Sequence, residues 1–264
     1  MTFAQLLDAL AGAPDNQVSI PDDWAQGRAG YGGLVAALVY QAMREKVPAD
    51  RPVRSLAITF VGPVETGQPL QVEAQVLREG KAVSQMLGMA RQNDQVMCVV
   101  QGSFGASRES MVDVAALPAP VAKAPLECIE MPYIEGVNPR FVKHFEVRWA
   151  FGDMPFMRSR KREMGGWMRF RQDEGEIHEA HLLGMVDVWP PAVLPWLSTK
   201  VPASSLTWTI EFVQPQPAIG RNDWLLYRAE IEHAKDGYGH TAAMIWREDG
   251  ELVAISRQTV TVFG

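Results

Sequence analysis

Apolar positions are spaced differently in different stretches of the chain. Gly30-Tyr31-Gly32-Gly33 leads into a nearly continuous apolar run, residues 34–43, which stops at Arg44-Glu45-Lys46. A run of that length with almost no polar break predicts a helix buried on nearly all sides. After Pro48 the spacing changes to short alternating segments at residues 55–61, 70–77, 82–91 and 96–104, parted by Arg78-Glu79-Gly80 and Asn93-Asp94. Alternation of period two between turn residues predicts strands, so the first half reads as one helix followed by an antiparallel meander.

Residues 115–124 are rich in Ala and Pro and carry neither period, as expected of a linker. Beyond them the order repeats. Residues 177–189 are predicted helical, and strand-like segments follow at 206–213, 224–232, 239–247 and 252–263. The chain also echoes itself: Ile58, Phe60, Val61 and Pro63 recur at one offset as Ile210, Phe212, Val213 and Pro215. The turns at 92–94 and 248–250 fall at nearly the same offset, which points to two copies of one unit. The expected organisation is an N-terminal repeat at 1–114, a linker at 115–134 and a C-terminal repeat at 135–264. One helix per meander implies an α+β double hotdog: two fused repeats, each an antiparallel sheet wrapped around a central helix. The two units are expected to bury their remaining sheet surface against each other.

Composition narrows the classes. Of 264 residues, 47% are hydrophobic and 21% charged, enough apolar mass for a sizeable core and too much for intrinsic disorder. The net charge of −6 argues against general nucleic-acid binding. Cys98 and Cys128 are too few for a disulfide scaffold or a cysteine-built zinc site. Residues 1–12 lack the basic start of a secretory signal, and no apolar stretch reaches the roughly 20 residues of a membrane span, so a cytoplasmic protein away from membranes is expected.

The chain resembles the TesB-like acyl-CoA thioesterase II family over nearly its whole length. The resemblance is carried by Gly32-Gly33-Leu34-Val35, by residues 60–63 and 77–84, by Asp187, by Asp223-Trp224-Leu225-Leu226-Tyr227, and by Asp249-Gly250 leading to Gln258. It implies an enzyme that hydrolyses an acyl-CoA thioester, and that works as a homo-oligomer, a dimer of double hotdogs. It implies no organic cofactor and no metal. It also implies a catalytic set of Asp, hydroxyl and Gln that holds the attacking water, and these roles fall on Asp187, Ser205 and Gln258. Ser204 or Thr207 takes the hydroxyl's place after a small shift of register. A catalytically silent acyl-CoA-binding protein and a hotdog enoyl-CoA hydratase are the alternatives.

The residues themselves leave choices open. On a helix over 177–189, Asp187 shares a stripe with Ala180, Leu183 and Gly184, which turns a carboxylate inward; a capping or turn role before Pro190-Pro191 is the other reading. Gln258 alternates with Leu252, Ala254, Val260 and Val262, so its amide points inward, to serve a site or to be satisfied by core backbone. Ser205 sits on the outward face with Thr207 and Thr209 unless a bulge turns it in. Gly32 and Gly33 either bring helix-start N–H groups to a thioester carbonyl or make a tight turn. Residues 34–43 contain no acid, which leaves one active site per chain. Arg158, Arg160, Lys161 and Arg162 either attract the phosphates of coenzyme A or form a solvated loop. His178 and His181 read as a solvated helix face, and no metal is proposed for them.

Overall fold

The computed structural model of the protein describes residues 1–263. In chain order the elements are α1 (Phe3–Ala11), β1 (Gln17–Ser19), β2 (Ala25–Gln26), β3 (Ala29–Gly30), α2 (Gly32–Arg44), β4 (Val53–Phe60), β5 (Pro69–Glu79), β6 (Val83–Gln92) and β7 (Gln95–Gly105). The second half contributes β8 (Ile129–Glu130), β9 (Phe145–Phe151), β10 (Glu163–Phe170), α3 (Glu179–Val186), β11 (Ala203–Phe212), β12 (Leu225–Lys235), β13 (Tyr238–Arg247) and β14 (Leu252–Val262).

The apolar run forms α2, and every residue from Gly33 to Tyr40 is buried. Its alanines and leucines are strong helix formers, and their lack of polarity requires the helix to be covered on all sides. Strands β5, β6 and β7 cover one side and α3 another. Close approach is possible because Gly102 on β7 has no side chain: a Cβ there would lie 2.5 Å from Met43 Cε. Cutting a fully buried leucine such as Leu38 to alanine should cost about 2–5 kcal/mol.

The two repeats meet differently from the expectation. They do not stack sheet on sheet. Instead β4 pairs antiparallel with β11, and one sheet runs β1-β5-β6-β7-β4-β11-β14-β13-β12-β10-β9-β8 through twelve strands. Pairing the two strands in this way satisfies backbone groups that each repeat alone would leave open at its edge.

The repeat symmetry extends to local irregularities. Leu56 pairs with Gly102 as Trp208 pairs with Gln258. The ladder slips between Val53 and Ser55 in one half and between Ser205 and Thr207 in the other. Val53 and Gly102 therefore occupy in the first half the places of Ser205 and Gln258.

Helix α3 is shorter than residues 177–189. Ile177 is held in an extended bridge with Ile219, and Trp189, preceding Pro190, is steered away from helical geometry. Asp187 is thus the residue that closes α3, and with helical geometry and its N–H on the Leu183 carbonyl it still faces α2 beside Leu183.

The sequence pattern announces neither α1, β9 and β10 nor the short strands β1, β2, β3 and β8. The buried Glu174 carboxylate accepts hydrogen bonds from the Phe3 and Ala4 amides, at 3.2 and 2.7 Å, and so satisfies the exposed donors at the start of α1. The linker is not loose at its end. Trp167 and Trp246 donate indole N–H bonds to Lys123 and Leu117 carbonyls, and Ala119 and Ala122 pack on the same tryptophan cluster.

Candidate active site

Two helix ends converge here. Asp187 closes α3, and Gly32 and Gly33 open α2. A Cβ on Gly33 would lie 2.8 Å from the Leu183 carbonyl oxygen and 2.9 Å from Asp187 Cβ, so only glycine allows the helices this near. Tyr31 caps α2 with no side-chain hydrogen bond to its first amides, of which that of Gly33 turns to Asp187, while its phenol donates to the Gly184 carbonyl and ties the two helices together.

Asp187 is largely enclosed, with part of its surface open to the cavity, and no cation is among the causes that shift its acidity. Burial pushes its carboxyl from 3.8 up to about 7, against the opposing pull of the Gln258 amide and the Gly33 backbone N–H. Gln258 Nε2 donates to Asp187 Oδ1 at 3.1 Å. Burial also raises the phenols of Tyr31 and Tyr227, with the Asp187 charge as a further cause, so both face the carboxylate as neutral groups. A half-ionised carboxylate at neutral pH accepts and returns a proton readily.

The bulge decides where Ser205 points. Leu206 is the extra residue between Ser205 and Thr207, so Ser205 pairs with the inward, fully buried Val260 and shares its face. Thr207 pairs with Thr259 on the outward side and is exposed. Ser205, Ser204, Asp187 and Gly32 line one cavity of about 450 Å³, with Phe60, Met97, Thr261 and the β2–β3 hairpin on its other walls. Sequence pattern alone did not find Arg28 of that hairpin, or Phe60, whose ring lies 3.3 Å from a Cβ built on Gly32. Hairpin strands of two residues have no readable period.

The basic run lies elsewhere. None of Arg158, Arg160, Lys161 and Arg162 lines the Asp187 cavity. Lys161 pairs with Asp153 at 3.0 Å, Arg160 sits over the Trp196 ring, and Arg162 donates to the Ile231 and Glu232 carbonyls. The histidine expectation also changes. His181 is buried against Phe3 and Phe170, not solvated, and its burial pulls it down to about 3. Among the described residues no three His, Cys, Asp or Glu side chains converge as a metal site would need.

At the symmetry-related place, Val53 and Gly102 stand where Ser205 and Gln258 stand, and Met43 fills the space above Gly102. Neither hydroxyl nor amide is present there.

Comparisons with known proteins cover both halves. Residues 20–105 match the family described as "Acyl-CoA thioesterase N-terminal domain", and residues 125–262 match "Acyl-CoA thioesterase C-terminal domain". The chain is 24% identical over 247 residues to Acyl-CoA thioesterase 2 of Haemophilus influenzae, covering 86% of this chain and 85% of that one. Its fold is similar to that of a hot-dog-fold protein from Alicyclobacillus acidocaldarius, with a TM-score of 0.81, 21% identity, and coverage of 94% and 92%. An acyl-CoA thioesterase II from Mycobacterium marinum has a TM-score of 0.69 at 19% identity, with coverage of 94% and 92%.

Proposed function

We propose that this chain, which belongs to the TesB-like acyl-CoA thioesterase II family of double-hotdog thioesterases, hydrolyses an acyl-CoA thioester with Asp187 as general base. The observation that carries this reading is a buried carboxylate without a counter-ion, bonded to Gln258 and open to a cavity that Ser205 also lines. Such a group is costly for the fold, and a function explains its retention.

In this scheme Asp187 takes a proton from a water held by Ser205 and Gln258, and the water oxygen bonds to the thioester carbonyl carbon. The negative charge that develops on the carbonyl oxygen faces the start of α2, where no side chain caps the helix and its dipole favours an anion. Collapse of the tetrahedral intermediate breaks the carbon–sulfur bond. The departing thiolate takes the proton back from Asp187, so the products are the free acid and coenzyme A thiol, and the enzyme is restored.

Steady-state thiol release across short, medium, long and aromatic acyl-CoA substrates tests the reading. Asp187→Asn keeps the shape and the acceptor for Gln258 but removes the base, so kcat should fall roughly 10²- to 10⁴-fold. Gln258→Ala and Ser205→Ala should each cost less, and the triple variant should be little worse than Asp187→Asn alone, because all three act on one water. Tight acyl-CoA binding with no thiol release by the wild type would sink the hydrolase reading.

A further inference from the structure

We propose that Arg28, at the tip of the β2–β3 hairpin, is the residue that meets the phosphates of coenzyme A. The inference builds on the acyl-CoA reading above and names the anionic end of that substrate's site. It starts from the charges around the cavity. Among the residues that line it, Arg28 is the one cation and Asp187 the one acid. Asp187 is half-buried at the inner end, whereas Arg28 is exposed at the rim. A cavity with a nearly neutral buried group at one end and a cation at its mouth suits a ligand with an uncharged reactive end and an anionic far end. An acyl-CoA has that polarity: an acyl thioester, a neutral pantetheine arm and then phosphates.

The guanidinium of Arg28 is also not engaged by the protein. Among the described residues no carboxylate lies within 4.0 Å of it, and no hydrogen bond holds its guanidinium. The nearby acids are already engaged: Asp22 with Arg140 and Thr66, and Asp23 with Lys143 and His144. In the densest basic run Arg160, Lys161 and Arg162 have protein partners and the Arg158 guanidinium has none among the described residues, but none of the four lines this cavity. Gly27 sets the turn, since its φ of +68° is one that only glycine adopts without strain, and the next residue is thereby carried to the tip. In a chain of net charge −6, an unpaired guanidinium at the mouth is a local attraction for a polyanion that the molecule as a whole repels. Its planar fork suits bidentate contact with phosphate oxygens.

The experiment compares wild type, Arg28→Gln and Arg28→Lys on an acyl-CoA and on the N-acetylcysteamine thioester of the same acyl group, which lacks phosphate. Arg28→Gln should raise KM for the acyl-CoA about 3- to 10-fold, the range of a solvent-screened phosphate contact, with kcat unchanged. Arg28→Lys should keep part of the affinity. Neither variant should alter kcat/KM for the phosphate-free thioester, and added salt should lower wild-type kcat/KM on acyl-CoA more steeply than that of Arg28→Gln. Calorimetric titration with coenzyme A itself gives a readout free of turnover: Arg28→Gln should weaken it by the same factor. An equal defect on both substrates, no defect on either, or a KM rise confined to an Arg158→Gln/Lys161→Gln double variant would overturn the inference. A wild type that binds coenzyme A through Arg28 yet releases no thiol would support this site while refuting the hydrolase reading.

Discussion

In the proposed reaction the chemistry centres on Asp187, and the acidity of this side chain makes two checkable demands. As the proposed base it must be ionised, so kcat/KM should rise with pH through an apparent pKa near 7 and level off above it. The same shift affects stability. A carboxyl raised from 3.8 to about 7 by burial stays protonated in the folded state over a range where the unfolded chain has released its proton. Folding stability should therefore decline as pH rises through that window, by up to about 4 kcal/mol for a shift of this size. Asp187→Asn removes the titration. Thermal melts at pH 5 and pH 8 should show the wild type losing more stability than the variant, and the variant melting higher at pH 8. A wild-type melt that is flat or rising over this range would rule out the uncompensated burial. At this scale the sequence was partly informative: Asp187 and Gln258 appear there as polar residues amid apolar spacing, whereas their 3.1 Å hydrogen bond joins positions 71 residues apart.

The elements act through their ends and irregularities. The start of α2 can serve as a donor site only because α3 stops where it does and because Gly33 lets the two backbones approach. Gly33→Ala would place a Cβ 2.8 Å from a backbone oxygen that cannot swing aside. It should cost roughly 1–3 kcal/mol in urea unfolding and disturb turnover as well, since the same Cβ crowds Asp187. Wild-type stability in this variant would mean that the helices have room to part. The bulge at Leu206 is the second such device, and it turns Ser205 inward where strict alternation would turn it out. No pattern in residues 203–212 announces that extra residue, because a bulge is set by how β14 pairs with its neighbour.

On the scale of the whole molecule, the pairing of β4 with β11 makes one twelve-stranded sheet from two repeats. We propose that residues 115–134 separate two units that depend on each other for folding. Cutting the chain within residues 115–124 should expose the β4 and β11 edges together with the apolar face of each helix. Each half alone should aggregate or pair with itself, and sedimentation of the separated halves is the check. Two soluble, stable monomers would contradict this dependence. The duplication has also diverged: Val53, Gly102 and Met43 fill the place that Ser205 and Gln258 occupy in the second half.

The sequence by itself determined which segments form the long helix and most of the meander, because burial imposes a period on side chains that is visible residue by residue. It also exposed the duplication, through Ile58, Phe60, Val61 and Pro63 and their recurrence at Ile210, Phe212, Val213 and Pro215. Tertiary structure decided how the repeats join, since edge-to-edge pairing uses backbone groups that every residue carries alike. It decided the place of the basic run at 158–162, because a charge's partners are set by what folds beside it. It decided too that Arg28 stands at the mouth of the Asp187 cavity, on a hairpin too short to leave any period in the chain.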